Sequence, residues 1–220
     1  MDRLIDYNYF VGDIEIPNVD NDAVLVNLNR VIDQTQKKVL IDLFGYHLYK
    51  SFEDGLDEVS PAQKWLDLRD GADYTFTYNG ETYNMRWDGF INTTDYVSLI
   101  AYFTYYYYMT DRLRMNTGDS ITLTNTQNGI RDEDNYKLVN AWNKGFRLYG
   151  EKRLITSGNR VQRVSYSDLP IINVSGNYCP KNRFEQSALN FIWEMNDQEG
   201  DDYYDKWIFK EIETINEFGI

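Results

Sequence analysis

The stretch "AYFTYYYYMTDRLRMN", residues 101–116, places six aromatic rings in the seven positions 102–108. Successive residues of an α-helix are rotated by about 100°, so the four tyrosines at 105–108 point to four different sides. A helix that is apolar on every side has no face to offer to water and must be surrounded by protein. The sequence therefore predicts a helix to about Met115, enclosed either by helices of its own domain or by other subunits.

The start of this helix also has a sequence signal. Thr93 or Thr94 offers an N-cap hydroxyl, and Asp95 would place an acid in the first turn. The cap positions predict that the helix begins close to residue 94.

Helical signals precede this stretch. Residues 20–55 repeat apolar side chains at close to the helical period, and Gly45 predicts a break into a second, shorter helix. The stretch "SPAQKWLDLRDG", residues 60–71, predicts a compact helix with Ser60 as N-cap, Pro61 at the first position and Gln63 completing a capping box.

Three further helices are expected towards the C-terminus. They cover residues 132–149, the segment from Asn182 to Met195, and a final segment that carries Trp207, Ile208, Ile212 and Ile215.

The clearest β signal is "YTFTYNGETYNMRW", residues 74–87. Asn79-Gly80 is a favoured type I′ hairpin turn, and both flanks alternate in polarity. A two-residue loop fixes the register. The predicted cross-strand pairs are Tyr78 with Glu81, Phe76 with Tyr83, and Tyr74 with Met85. An isolated hairpin is marginally stable in water, so this one must pack on the helices or on a neighbouring chain.

Residues 150–180 lack a sustained period. They are interpreted as an extended arm that orders against a partner, or as a pair of short strands. Their first part, "EKRLITSGNRVQR" (151–163), carries four basic residues in an acidic chain and could dock on an acidic neighbour. The threonine-rich segment 117–129 indicates a loop or a weak second hairpin.

These patterns predict a mainly α fold. We expect a helical bundle of about five to six helices with one or two inserted β-hairpins and an extended arm, in a single domain of residues 1–220. A chain of this length can bury a core without disulfide bonds or metals.

Composition argues against most enzyme classes. The chain has one cysteine, Cys179, and one histidine, His47, which excludes an internal disulfide and the cysteine-based and two-histidine metal sites. Phosphate-binding loops, dinucleotide fingerprints and nucleophile elbows are absent from the sequence. We therefore expect no enzymatic activity, no cofactor and no metal. Counting acids leaves open a glycosidase that works with two carboxylates.

Charge and hydropathy bound the setting of the protein. A net charge of −13 disfavours a protein that grips nucleic acid through its phosphates. The first residues, "MDRLIDYNYF", do not look like a signal peptide, and no apolar run approaches the roughly 18 residues of a membrane helix. The expected setting is therefore the cytosol, without a membrane partner.

Several motifs in order carry a family resemblance. They are "VIDQTQKKVLIDLFGYHLYKSF" (31–52), "KWLDLRDG" (64–71), "MRWDGF" (85–90), "SLIAYFTYYYY" (98–108) and the end "IFKEIETINEFGI" (208–220). Together they resemble head–tail connector proteins, the adaptors or neck rings of tailed phages, most closely those of crAss-like Bacteroidetes phages. The resemblance covers residues 25–110 and the last dozen, less than half of the chain.

The resemblance implies a structural virion protein without a catalytic site. Such proteins form a homo-oligomeric ring, commonly twelve-fold, which binds the portal and the adjacent neck or tail ring proteins. The ring joins capsid to tail and continues the channel for DNA ejection, so double-stranded DNA passes through without being specifically bound. The protein would be assembled in the host cytoplasm and end in the virion neck.

On this interpretation the hairpin and the arm contact neighbouring chains. The expected interface residues are Tyr78, Glu81, Tyr83, Trp87, Arg160, Arg163 and Tyr166. Two alternatives stay open: a carbohydrate-binding or glycan-degrading phage protein, since aromatic and acidic residues are its usual tools, and a minor capsid or cargo protein.

Overall fold

The computed structural model describes residues 2–78, 81–115, 130–150, 153–157, 160–164, 187–200, 203, 204, 207, 212 and 215. Over these residues the fold is mainly α with small antiparallel sheets, which confirms the predicted fold class. The helices are α1 (Asp22–Phe44), α2 (Tyr46–Leu56), α3 (Gln63–Asp70), α4 (Leu99–Met115), α5 (Ile130–Tyr149) and α6 (Ala188–Glu199). The strands are β1 (Ala72–Tyr78), β2 (Glu81–Trp87), β3 (Arg153–Ser157) and β4 (Arg160–Val164), and two short 3-10 helices occupy Tyr7–Tyr9 and Gly12–Ile14.

The long first helix breaks where the sequence predicts. The Asn21 side chain caps α1 by accepting a hydrogen bond from the backbone N–H of Ala23 at 3.0 Å. Gly45 is the single residue between α1 and α2. Its φ is +86°, a conformation that residues with a Cβ rarely adopt.

Helix α4 is enclosed by its own chain. It packs against α1 on one side and α5 on the other, and all seven residues 99–105 are buried. The Phe103 ring meets Trp142 of α5 edge to face at 5.1 Å between centroids, and Gly145 lets the two helices approach closely. The first of the two alternatives for this aromatic helix, enclosure by its own domain, is therefore the observed one.

The N-terminal segment packs against α1 and α5. Its apolar side chains join one contiguous core cluster with α1–α6. Arg3 donates two hydrogen bonds to the Asp33 carboxylate at 2.7 and 2.8 Å, and Lys144 contacts Asp13 at 2.7 Å. The segment is thus tied to both α1 and α5. The core residues that it supplies are Ile5, Tyr9, Phe10, Ile14 and Ile16.

The predicted caps of α3 are wrong. The helix begins at Gln63, after Ser60 and Pro61, and its N-cap residue is Ala62, which has no capping side chain. The Gln63 amide donates to Asp67 one turn later at 2.7 Å, so it does not reach back to complete a capping box.

The predicted caps of α4 are wrong as well. Thr93 and Thr94 lie in a turn, where the backbone N–H of Thr94 donates to the Asn92 side chain at 3.0 Å. The cap is Ser98, whose buried Oγ accepts from the Ile100 N–H at 3.1 Å. Residues 93–96, which the sequence analysis assigns to the start of the helix, form this turn instead.

This difference is testable. We expect Ser98→Ala to lower the free energy of unfolding by about 1 kcal/mol, because it removes the acceptor for an N–H at the helix start. Thr94→Ala, at an exposed position, should change it by less than about 0.5 kcal/mol. Urea unfolding followed by circular dichroism measures both. A larger loss for Thr94→Ala than for Ser98→Ala would contradict the observed cap.

The segments after α5 differ more from expectation. Helix α6 begins at Ala188, with Ser187 as its N-cap, whereas Asn182 lies outside the described residues. The final helix is wrong at the three positions described, because Trp207, Ile212 and Ile215 lie in no helix. The backbone of Ile215 exchanges two hydrogen bonds, both 3.0 Å, with the side chain of Asn143 on α5. Segment 117–129 lies outside the described residues.

Candidate interaction surfaces

The β1–β2 hairpin has the predicted register. Tyr78 pairs with Glu81, Phe76 with Tyr83 and Tyr74 with Met85. The face that includes Tyr74 and Trp87 is turned to the core, and Asp73, Thr82 and Arg86 on the other face are exposed. Arg86 forms ion pairs with Asp73 at 3.0 Å and Asp88 at 3.4 Å, and solvent screening at such exposure makes both pairs weak. The turn 79–80 lies outside the described residues.

Two glycines join this hairpin to α3. Gly71 and Gly89 have φ of +93° and +83°, and their backbones touch. A Cβ on Gly89 would lie 2.5 Å from the Arg69 carbonyl oxygen, and one on Gly71 would lie 2.3 Å from the Trp87 oxygen. The two ends of the hairpin therefore require glycine for both conformation and space.

Trp87 belongs to the core of its own chain. Its side chain is 2% exposed, and its indole Nε1 donates to the Leu68 carbonyl at 3.0 Å. The ring stacks on Phe191 of α6 with 6.2 Å between centroids. Trp87, which the sequence analysis expects at an interface, is therefore covered by α3 and α6 of its own chain. Tyr83, on the same face of the hairpin, is half-buried.

The other expected interface residues lie in two hairpins. Tyr78 and Glu81 form the last described pair of the first hairpin. Arg160 pairs with Ser157 and Arg163 with Leu154 between β3 and β4. The structure does not describe the side chains of these four expected residues, and Tyr166 lies outside the described residues. The start of segment 150–180 is therefore a pair of short strands, one of the two interpretations left open.

The β3–β4 hairpin has little support from the described body. Its two antiparallel strands pair with each other, and no other described element packs on either strand extensively. A two-stranded hairpin on its own is marginally stable in water, and both of its edges can accept a further strand. This hairpin is the first candidate interaction surface.

Half of the tyrosines whose burial is described are buried in the core. Burial raises the pKa of Tyr9 to about 12, and it also raises the pKa of Tyr204, whose hydroxyl donates to the Lys64 carbonyl at 2.8 Å. The abundance of rings is thus explained largely by internal packing. The buried tyrosines are Tyr9, Tyr49, Tyr74, Tyr102, Tyr105, Tyr108, Tyr149 and Tyr204.

A second surface has unexpected charge. Arg30, Lys37 and Lys38 are all exposed along α1, although the chain is strongly acidic. Arg30 donates to the neutral amides of Gln34 and Asn27, both at 2.9 Å, so these bonds leave its charge uncompensated. Lys38 lies over the Tyr107 ring at 4.2 Å. Helical spacing alone could have revealed this basic face.

A groove lies between α1 and α4 beside Arg30. Its volume is about 230 Å³, below the roughly 300–1,000 Å³ usual for small-molecule sites. Val24, Val31 and Tyr108 form much of its wall, and Arg112 lies at its rim. The full lining is Ala23, Val24, Asn27, Arg30, Val31, Tyr108, Asp111 and Arg112. We call this feature the α1–α4 groove.

A third surface is the acidic end of α2. Glu53 accepts from the Tyr49 hydroxyl at 2.8 Å and from Lys50 at 3.1 Å, which lowers the pKa of Glu53 to about 2. Beyond the helix, in the α2–α3 loop (57–62), Glu58 is exposed and the Val59 side chain is fully exposed.

The single histidine and the single cysteine lie far apart in the sequence. His47 is exposed on α2, and Cys179 lies outside the described residues. Within the described ranges, no group of three or more histidine, cysteine or acidic residues could hold a metal ion. Among the described helices, none is long and apolar enough to cross a membrane.

No protein-family model, curated protein or solved structure matches this chain.

Proposed function

We propose that this chain is a structural protein of a tailed-phage virion, which assembles as a homo-oligomeric ring in the neck. The ring would bind the portal and the next neck or tail ring, and it would continue the DNA channel between capsid and tail. The motifs that resemble those of connector proteins, and their order along the sequence, support this proposal. A helical body with two β-hairpins is compatible with it.

The observation that carries the proposal is the β3–β4 hairpin. Its strands pair with each other while the described body supports them little. Burial against another chain would stabilise such a hairpin, and added strand pairing at its edges would fix the neighbour's position. A hairpin with this property is of more use to an assembly than to a monomer.

The shape of the assembly follows from symmetry. A surface that binds a different surface of the next copy makes a head-to-tail contact, which closes into a ring if the rotation between copies allows it. A twelve-fold ring is the expected form. A DNA channel should be lined by acidic surface so that the duplex stays mobile. The basic face of α1 would then lie between subunits, away from the DNA.

Imaging tests the proposal. The purified chain, alone and with the portal protein of its phage, is examined by light scattering and negative-stain microscopy. We expect closed rings, stacked on the portal when it is present. A variant with residues 153–164 replaced by a glycine–serine linker should lose the rings but keep its thermal unfolding midpoint. If only monomers appear even with portal, the ring proposal fails; if the linker variant still forms rings, the hairpin is not the contact.

The two alternative functions lack a comparable observation. A carbohydrate-binding surface needs exposed rings that share a face. Among the residues whose burial is described, the exposed tyrosines come from the N-terminal segment, α2, the turn before α4, and α5; they are Tyr7, Tyr46, Tyr96 and Tyr136. A rise of the unfolding midpoint with polysaccharide would revive that alternative. Copies inside capsids that lack portal would support a minor capsid or cargo protein.

A further inference from the structure

The Val59 side chain stands apart from its own chain. It is fully exposed at the tip of the α2–α3 loop, with Glu58 exposed beside it. A single exposed valine is ordinary on a protein surface. What distinguishes this one is a matching feature elsewhere on the same chain.

The α1–α4 groove is that feature. It offers apolar contact through Val24, Val31 and Tyr108. Val26, also on α1, is 70% exposed. The groove carries two arginines and one aspartate, an excess of positive charge on a chain of net charge −13. Its occupant should therefore be a small apolar side chain with a carboxylate next to it.

We propose that the α1–α4 groove receives the α2–α3 loop of a second copy, with Val59 in the groove and Glu58 beside Arg30. This contact rests on the proposed ring, of which it would be one subunit-to-subunit contact. The occupant comes from another copy because the Val59 side chain is fully exposed and so does not lie in the groove of its own chain.

Charge complementarity selects this occupant. The Arg30 guanidinium donates to the neutral amides of Gln34 and Asn27, so these hydrogen bonds leave its positive charge for a carboxylate from the loop. Desolvation of the pair by Val59 strengthens their attraction relative to an exposed ion pair. The groove is also smaller than most small-molecule sites, which favours a side chain over a ligand.

The contact is head-to-tail, because the loop and the groove are different surfaces of one chain. Every copy offers both halves, so each pair of bound copies leaves one free loop and one free groove. Such a contact extends until a ring closes, as the proposed function requires.

Cysteine trapping tests the contact. Cys179 is replaced by serine, which leaves no other cysteine, and Val59→Cys copies are mixed with Ala23→Cys copies and treated with a short bismaleimide. We expect a crosslinked dimer, and a ladder of larger species when both cysteines are in one chain. In the matched control, Val11→Cys copies take the place of the Val59→Cys copies. Val11 is a 50% exposed valine outside the loop, and this mixture should give no crosslinked dimer.

Charge reversal gives a second readout. Arg30→Glu should reduce the crosslinked dimer, and Glu58→Arg on the partner copy should restore it. If the wild type forms rings but the Val59–Ala23 pair traps no more dimer than the control, this contact is overturned and the ring proposal stands. If the wild type does not assemble and the Val59–Ala23 pair traps no dimer, both proposals fail. A trapped dimer without rings supports the contact and contradicts the ring.

Discussion

Gly89→Ala is expected to lower the free energy of unfolding by about 3 kcal/mol or more. A left-handed backbone costs an L-residue about 1–2 kcal/mol, and overpacking adds about 1–3 kcal/mol. Both apply here, because φ is +83° and the new Cβ would lie 2.5 Å from the carbonyl oxygen of Arg69 and the carbonyl carbon of Asp70. These are backbone atoms, which cannot rotate away as a flexible side chain would.

Gly12→Ala is the matched control. Gly12 also has positive φ, +63°, but a Cβ there meets nothing within 4 Å. The conformational cost alone, about 1–2 kcal/mol, should remain. Urea unfolding of both variants separates conformation from contact. Equal losses at the two positions would show that the hairpin ends do not touch as described.

Trp87→Ala is expected to cost about 4 kcal/mol, the middle of the range for deleting a large buried side chain. The substitution removes the ring that contacts Phe90 and Phe191, and it leaves the Leu68 carbonyl without its indole donor. The loss should appear in dilute monomer, because these contacts lie within one chain. Denaturant unfolding at low protein concentration measures it.

Two control substitutions separate the contributions to this loss of stability. Trp87→Phe keeps an aromatic ring but removes the N–H, so it should cost about 1–3 kcal/mol for the unsatisfied carbonyl. Tyr136→Ala removes a ring that is 67% exposed and should change stability by less than about 0.5 kcal/mol. If Trp87→Ala left the monomer stable but abolished self-association, Trp87 would be an interface residue after all.

The elements with local signals were predictable. Asn79-Gly80 between alternating flanks specifies both the turn and the pairing, so the register from Tyr74 to Met85 followed without tertiary information. Gly45 marked the end of α1 for an equally local reason. Residues 105–108 required enclosure, because a helix with rings on every side has no solvent face.

The candidate surfaces were less predictable. Sequence reasoning placed β1–β2 as a possible contact region but did not identify the α1–α4 groove. Two helices that are far apart in sequence, one carrying Arg30 and the other Tyr108 and Arg112, create that groove only by packing together. The exposure of Val59 was equally invisible, since an isolated valine in a sequence predicts burial more readily than a protruding loop.

The sequence by itself thus determined the break at Gly45, the register of the β1–β2 hairpin, and that α4 had to be covered. Only the tertiary structure decided what covers each ring. Trp87 is buried because α3 and α6 meet over it, and the backbone of Ile215, outside any helix, is hydrogen-bonded by Asn143. Turn and helix signals depend on a few adjacent residues, whereas burial depends on partners that are distant along the chain and are brought close only by folding.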